Sequence, residues 1–176
     1  MAEFIDLYDN LRNVVGRDEY RAPLAVGLNR LFVHVWFVNH DGLFLLQQRV
    51  ASTHRFARKW TQTGGCVRSG EHSFDCVRRE SFEELGIDID AQRAVLIGTV
   101  KNPDNFVDVW LVNTDVVRSG LILQSDEVQD AKWADVAEIR RMIDEDLMTP
   151  AMPVELEMIL HYADSVGVKN ISELFK

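Results

Sequence analysis

Three glutamates, Glu80, Glu83 and Glu84, crowd one short stretch of the chain. In a helix, positions i, i+3 and i+4 lie on one side, where exposed like charges repel by about 0.2–0.5 kcal/mol per pair. One interpretation is a solvated acidic face. The other is a cation site, because carboxylate oxygens are the ligands that Mg²⁺ and Mn²⁺ prefer, and bound metal would offset the repulsion.

The residues around the glutamates predict a helix and, before it, a loop whose backbone can come close to a ligand. An apolar stripe indicates a helix from Ser73, its expected cap, to Leu85, with Gly86 as its stop. The stripe consists of Phe74, Val77, Ser81 and Leu85. Gly64 and Gly65 precede this helix, and without a Cβ they let the backbone come close to a metal or phosphate. The pattern therefore favours chemistry at this place.

The stretch from Gly64 to Ile87, GGCVRSGEHSFDCVRRESFEELGI, resembles the Nudix box. The motif is Gly, five residues, Glu, seven residues, then Arg-Glu-U-x-Glu-Glu-x-Gly-U, where U is apolar. Its fixed positions fall on Gly65, Glu71, Arg79, Glu80, Glu83, Glu84, Gly86 and Ile87. Ser81 departs from the pattern at an apolar position, and its hydroxyl can bond back to the Val77 carbonyl.

The resemblance implies an α/β Nudix fold, which is a mixed β-sheet sandwiched between α-helices. It also implies an enzyme that cleaves a nucleoside diphosphate-linked pyrophosphate with Mg²⁺ or Mn²⁺. It implies that Glu80 and Glu84 are the main metal ligands, with the Gly65 carbonyl as a backbone ligand. Glu83 would be a further ligand or the base. Arg79 would orient the carboxylates, and Glu71 would brace the loop against the helix.

The general base stays open at this stage. Glu83 and Glu127 are the two main candidates, with Asp126 and Asp130 behind them. The late acids also suit plain loop solvation. We therefore expect the catalytic set to come from Glu83, Glu84, Arg79 and Glu127.

Several segments also resemble the isopentenyl-diphosphate isomerase branch of the superfamily, among them EFIDLYDN, LLQQR and KWTQTGG. When Trp60 is laid on the isomerases' tryptophan, their catalytic cysteine falls at Gly65 and their metal-binding histidine at Val67. Cys66 is one residue away, which on a strand means the opposite face. The complete motif favours a hydrolase on an isomerase-like scaffold, with an isomerase or a non-catalytic nucleotide-sensing module as alternatives.

Candidate substrate contacts lie on both sides of the motif. Phe106, Asp108 and Trp110 alternate along one face of a predicted strand and could stack a base and bond its edge, although a core role explains them as well. Arg49 closes a strand and is the preferred phosphate contact, followed by Arg55, Arg58 and Lys59. His34 and Trp36 lie in an apolar strand and are expected in the core.

The remaining pattern predicts one domain over residues 1–176. Residues 1–30 should form an N-terminal hairpin and a connector, 31–147 the core, and 148–176 a C-terminal helical extension. Expected strands cover 31–38, 43–48, 60–67, 95–100, 106–113 and 128–133, and expected helices cover 135–147 and 154–163.

Composition limits the partners. The net charge of −9 over 176 residues disfavours nucleic-acid backbones. No apolar run reaches the roughly 20 residues of a membrane span, and the acidic start does not resemble a targeting segment, so a cytoplasmic protein is expected. Cys66 and Cys76 are expected to be reduced, partly buried thiols. We expect the partner to be a small organic pyrophosphate derived from a nucleotide, and the surface added at both ends favours a homodimer.

Overall fold

The structure, a computed structural model, describes residues 3–53 and 55–175 as nine strands and three α-helices with short 3-10 turns. The strands are β1 (Phe4–Tyr8), β2 (Val14–Glu19), β3 (Arg30–Val38), β4 (Phe44–Arg49), β5 (Trp60–Thr61), β6 (Thr63–Cys66), β7 (Ala94–Asn102), β8 (Asn105–Asn113) and β9 (Val128–Ala134). The helices are α1 (Ser73–Leu85), α2 (Val136–Asp144) and α3 (Met152–Ser165). In this described part no helix has the length and apolarity needed to cross a bilayer.

A mixed seven-stranded sheet forms the centre of the fold. Its main path runs β5-β4-β3-β8-β7, with β6 paired to β3 and β9 paired to β4. Among the strands of the described residues, the central β3 and β8 pair is parallel and the other pairs are antiparallel. β1 and β2 make a separate antiparallel hairpin. The predicted mixed sheet and N-terminal hairpin are confirmed.

Apolar cores on both faces of the sheet fix its position between the helices. Along β3, Val33, Val35 and Phe37 pack on the side of α1. The alternate residues Trp36 and Val38 pack toward α2 and α3. Because side chains alternate along a strand, one continuous apolar run serves both faces, as expected for a central strand.

The sheet splits beside β3, and this split creates the site. β4 pairs with the end of β3 through Phe37 and Val38, then turns away to pair with β5. β6 takes over the first half of β3, where Gly65 pairs with Val33 and Gly64 with His34. The segment predicted as one strand over 60–67 is therefore two strands, joined at Gln62.

The helix that carries the glutamates has its predicted bounds, Ser73 to Leu85, but its N-cap residue differs from the predicted one. His72 is its N-cap, and the His72 amide donates to the Asp75 carboxylate at 3.2 Å. Ser73 is the first helical residue instead of the cap, and its hydroxyl oxygen accepts from Trp110 Nε1 at 3.0 Å. The stop is confirmed, because Gly86 adopts a left-handed φ of 71°. The division of the chain at residues 30 and 147 stays a prediction.

The N-terminal hairpin is tied to the central sheet by an ion pair. Arg12, at the hairpin turn, donates both guanidinium ends to Asp108 on β8, at 2.7 and 2.5 Å. Asp108 is 1% exposed. Burial raises the pKa of Asp108, but hydrogen bonds from Arg12, Ser73 and Thr99 outweigh it and leave the pKa below its usual value.

We expect Arg12→Gln to lower the free energy of unfolding by roughly 1–2 kcal/mol near neutral pH, because Asp108 keeps a buried charge without its cation. The pair's contribution is present above the unfolded pKa of about 3.9 and is lost as pH falls through the lower folded value. Urea unfolding should therefore show a gap between the two proteins that narrows at acid pH. A gap unchanged with pH would contradict this, and Arg140→Gln on α2 is the control.

Candidate active site

The glutamate face of α1 packs directly against the glycines of β6. A Cβ placed on Gly65 would lie 1.9 Å from Glu80 Oε1. A Cβ on Gly64 would lie 2.4 Å from the Val33 carbonyl oxygen and 2.9 Å from the His34 ring. Both positions therefore require glycine, and the pair brings carboxylate and backbone closer than any other residue allows.

Arg79 bonds three of the motif's acids, of which Glu71 and Glu80 are largely buried and Glu83 is exposed. Its guanidinium bonds both oxygens of Glu71, at 2.9 and 3.0 Å, and Nη1 donates to Glu80 at 2.6 Å. The Glu71 carboxylate in turn accepts from the Arg68 amide at 2.9 Å, which braces the loop before the helix. Burial lowers the pKa of Arg79, but the bonds to Glu71 and Glu80 prevail and raise it, so it stays a cation.

Glu84 is the most deeply buried acid of the cluster, at 3% exposure. Its Oε2 accepts from Gln47 Nε2 at 2.9 Å and from the Gly64 amide at 3.3 Å. Burial raises the pKa of Glu84 to about 8, and the nearby charges of Glu80 and Glu127 act in the same direction. Near neutral pH the metal-free side chain is therefore mostly protonated, since no cationic side chain among the described residues bonds to it and offsets the cost of burying its charge.

Glu127 is close enough for its charge to act on Glu80 and Glu84, although it lies far along the chain. Its charge helps to raise the pKa of Glu80, for which burial is the largest cause. The segment before it is attached to the end of α1, because the Gln124 amide donates to the Glu84 carbonyl at 3.0 Å. Glu83 is more exposed, at 42%, and lies 3.2 Å from Arg79 Nη1. Asp130 instead bonds to Arg118.

The donor set suits a hard divalent cation. Over the described ranges, no three His, Cys, Asp or Glu side chains already converge as a metal cage, since Arg79 holds Glu80 and Gln47 holds Glu84. The available groups are carboxylate oxygens and a backbone carbonyl at a glycine, which match Mg²⁺ and Mn²⁺. A buried carboxylate without a cation gains from such an ion, so the residues fit the group.

A cavity of about 480 Å³ opens on the opposite face of the sheet from α1. We call it the mixed cavity, because it combines polar His34, Arg49 and Thr61 with apolar Val107 and Val154. Gly64 joins it to the acidic cluster, since its amide bonds Glu84 while its Cα faces His34. An organic group in the mixed cavity would lie one backbone segment away from the glutamates.

A buried carboxylate orients His34 toward the mixed cavity. Glu155 of α3 lies with Oε1 2.5 Å from His34 Nδ1, and its Oε2 accepts from Trp36 Nε1 at 2.9 Å. The His34 side chain keeps 24% exposure while Trp36 is fully buried. The expectation that both residues lie in the core is therefore right for Trp36 and only partly right for His34. The Nε2 atom of His34 takes no part in the contact with Glu155.

The predicted substrate residues separate in the structure. Arg49 lines the mixed cavity. Phe106, Asp108 and Trp110 share one face of β8, as the alternation predicted, but that face packs toward α1 and the hairpin. Trp110 stacks on Phe74 at 5.4 Å between ring centroids, so base stacking by this row stays a prediction that the packing does not favour.

Sequence reasoning missed His34 and Glu155 as cavity residues. A histidine and a glutamate 121 positions apart give no local signal. The single hint was His34 itself, the one ionisable side chain inside the apolar part of β3.

Both cysteines are buried free thiols. Cys66 pairs with Phe32 across the strands and follows Gly65, so its side chain points away from Glu80. Its Sγ donates to the Leu31 carbonyl at 3.4 Å, and burial raises its pKa to about 12. Cys66 is therefore a poor substitute for a reactive thiol on the glutamate side.

Comparison with known proteins agrees with this geometry. The NUDIX domain family model matches residues 28–153. The chain therefore belongs to the Nudix family. An uncharacterised Nudix hydrolase of Listeria monocytogenes is 32% identical over 139 residues, which are 78% of this chain and 82% of that protein.

Two further similarities concern the isomerase alternative and the fold. An isopentenyl-diphosphate Δ-isomerase of Escherichia coli O127:H6 is 29% identical over 133 residues, covering 72% of this chain and 73% of the isomerase. A crystal structure from Deinococcus radiodurans superposes with a TM-score of 0.75 at 21% identity, over 89% of this chain and 99% of that one. At that identity the second similarity shows the fold alone.

We expect Glu84→Gln to stabilise the metal-free protein by roughly 2 kcal/mol near neutral pH, because folding then no longer has to protonate a buried carboxyl group and the amide keeps an acceptor for Gln47. Urea unfolding in EDTA measures this. Glu83→Gln on the exposed side of the same helix should change stability by less than about 0.5 kcal/mol. Equal effects of the two substitutions would contradict the interpretation of Glu84 as a buried acid whose raised pKa costs stability.

Proposed function

We propose that this protein is a divalent-metal-dependent pyrophosphohydrolase acting on a nucleotide-derived organic pyrophosphate. The observation that carries the proposal is the packing of Glu80 and Glu84 against Gly65 and Gly64. Carboxylates buried against bare backbone have little structural benefit, because each raises the cost of folding. A metal and phosphate site explains why the chain keeps them there.

Each residue has a defined part in the proposed reaction. Glu80, Glu84 and the Gly65 carbonyl would hold the metal, and Arg79 orients Glu80 through a 2.6 Å bond. When bound there, Mg²⁺ or Mn²⁺ would neutralise the carboxylates, polarise the phosphoryl group and activate water. Glu83 or Glu127 would accept the proton of the attacking water, because both carboxylates lie beside the cluster.

The organic part of the substrate would lie in the mixed cavity. Its volume of about 480 Å³ is in the range of small-molecule sites, and it offers apolar walls with a few fixed polar groups. His34 is held by Glu155 and would bond the edge of the bound group. Arg49 would contact a phosphate, since its position at the end of β4 borders the same cavity.

The test is phosphate or nucleoside monophosphate release from a panel of nucleotide pyrophosphates with Mg²⁺, Mn²⁺ or EDTA. We expect release from at least one class that stops in EDTA. The double variant Glu83→Gln/Glu84→Gln should lose at least about a hundredfold in kcat while it still folds, because the metal is no longer held. Glu157→Gln on the exposed face of α3 is the matched control. A fully active double variant would refute the proposal.

His34→Ala should separate binding from chemistry. Because His34 lines the mixed cavity instead of the glutamate cluster, we expect KM to rise about tenfold with kcat within about threefold. Thermal unfolding checks that the loss of the Glu155 contact has not unfolded the protein. A fall in kcat with unchanged KM would contradict a role in binding the organic group.

Two alternatives are tested by adding a prenyl diphosphate to the panel and by measuring nucleotide binding beside turnover. The isomerase relatives favour a prenyl diphosphate, which would be rearranged without phosphate release. Cys66 argues against this, since it is buried and faces away from Glu80. A sensing module would bind a nucleotide tightly and cleave nothing in any metal, but the intact glutamate set favours turnover.

A further inference from the structure

A second cavity, of about 510 Å³, is lined by three arginines. We call it the arginine cavity. Arg21, Arg30 and Arg55 surround it, together with the rings of Tyr20 and Phe32. The cluster is unexpected in a chain whose 28 acidic residues outnumber its 19 lysines and arginines. Because like charges gathered in one cavity repel one another, the cluster favours an anion as its occupant.

The charges in the arginine cavity are not balanced by the protein around it. Across residues 3–53 and 55–175, none of its three guanidinium groups lies within 4.0 Å of a carboxylate. Asp104 also borders the cavity, and its carboxylate accepts from the Asn105 side chain at 2.8 Å. Three cations against one carboxylate leave the cavity with a net positive charge, which attracts anions.

Arg30 has a buried donor without an acceptor. Its Nη2 donates to the Ala22 carbonyl at 2.8 Å, and its guanidinium carbon lies 6.0 Å from the centre of the Tyr20 ring. These two contacts hold the side chain at the wall of the cavity. The Nε atom is buried and has no hydrogen-bond partner among the described residues. Because buried donors are nearly always paired in native proteins, an acceptor from a ligand, such as a phosphate oxygen, would complete this side chain.

The arginine cavity lies on the sheet face that points away from the glutamates. On β6, Gly65 pairs with Val33 and faces Glu80. The next residue, Cys66, pairs with Phe32. Because neighbouring side chains of a strand point to opposite faces, Phe32 and the cavity that it lines lie on the other side from Glu80. An anion bound there is therefore separate from the pyrophosphate that the glutamates and their metal would hold.

The arginine cavity adjoins the mixed cavity along two neighbouring strands. On β3, Phe32 lines the arginine cavity and His34 lines the mixed cavity. On β8, Asn105 and Val107 divide in the same way, and Val107 pairs with Phe32. Residues two positions apart on a strand share a face and are separated by about 7 Å. Arg55 lines both cavities, so a ligand in the mixed cavity can present a further group to the arginines.

We infer that the arginine cavity is a second anion site, which binds a phosphate monoester carried by the organic part of the substrate instead of its pyrophosphate. A phosphate monoester has a charge of about −1.5 to −2 and three acceptor oxygens, which match several guanidinium donors at once. The carrier would lie in the mixed cavity, with its pyrophosphate toward the glutamates. The identity of the carrier rests on the proposed function, whereas the anion site itself does not depend on catalysis.

The binding test uses ligands that contain no pyrophosphate. Adenosine 5′-monophosphate is compared by calorimetry in EDTA with adenosine 2′,5′-bisphosphate and 3′,5′-bisphosphate, each of which adds one phosphate. At least one bisphosphate should bind the wild-type protein about tenfold more tightly than the monophosphate. Arg21→Gln and Arg30→Gln should each remove most of that gain, whereas Arg140→Gln on α2, outside both cavities, should keep it. No gain in the wild type, or a gain that every variant keeps, overturns the inference.

Thermal unfolding of each variant checks the fold. Arg30→Gln loses the contact with the Ala22 carbonyl, but Arg21 is exposed and has no such contact, so Arg21→Gln tests the site without that loss.

Inorganic phosphate distinguishes the two sources of the anion. If its affinity falls in Arg21→Gln and Arg30→Gln while the bisphosphates gain nothing over the monophosphate, the cavity binds a free anion and its role in substrate binding is refuted.

The panel of pyrophosphates keeps this inference separate from the hydrolase proposal. For a substrate that is cleaved, an added phosphate on its organic part should raise kcat/KM about tenfold through a lower KM, and Arg21→Gln should abolish the advantage. If nothing is cleaved and bisphosphate binding still depends on Arg21 and Arg30, the anion site stands and the hydrolase proposal fails. If cleavage is found and the added phosphate gives no advantage, the hydrolase proposal stands and this inference fails.

Discussion

The carboxyl group of Glu84 is buried against the Gly64 amide and Gln47, and the site depends on the sheet arrangement that brings these two partners together. An anion taken out of water needs compensation from every neighbour within reach. The split between β4 and β6 brings Gln47 and Gly64 to it from different strands. Gly65 leaves room for Glu80 beside it, and Arg79 holds that second acid from the helix side. The cluster is therefore prepared for a cation by the backbone as much as by its side chains.

Around that centre the molecule offers two chemically different cavities. The mixed cavity has apolar walls and a histidine fixed by a buried glutamate, which suits an organic group. The arginine cavity has unbalanced positive charge and an unused buried donor, which suits an anion. Arg55 borders both, and Gly64 lies between the mixed cavity and the glutamates.

Local sequence patterns predicted the helix of the glutamates and the residue faces of β8 correctly. The helix of Glu80 and Glu84 begins at Ser73 and ends at Leu85 as its apolar stripe predicts, because that stripe records which face is buried. The alternation along β8 predicts that Phe106, Asp108 and Trp110 share one face of the strand, but it does not predict which part of the chain covers that face. The hairpin covers it, and Arg12 from its turn takes the Asp108 carboxylate that seemed available for substrate.

The sequence by itself determined the Nudix motif, the helix that carries it and the mixed sheet, because these depend on spacings within one segment. Only the tertiary structure decided that Glu155 fixes His34, and that Arg21 and Arg30 meet Arg55 around one cavity. Those contacts join residues that are distant along the chain. Their geometry depends on how the strands pair and where the sheet splits, and no periodicity within one segment records it.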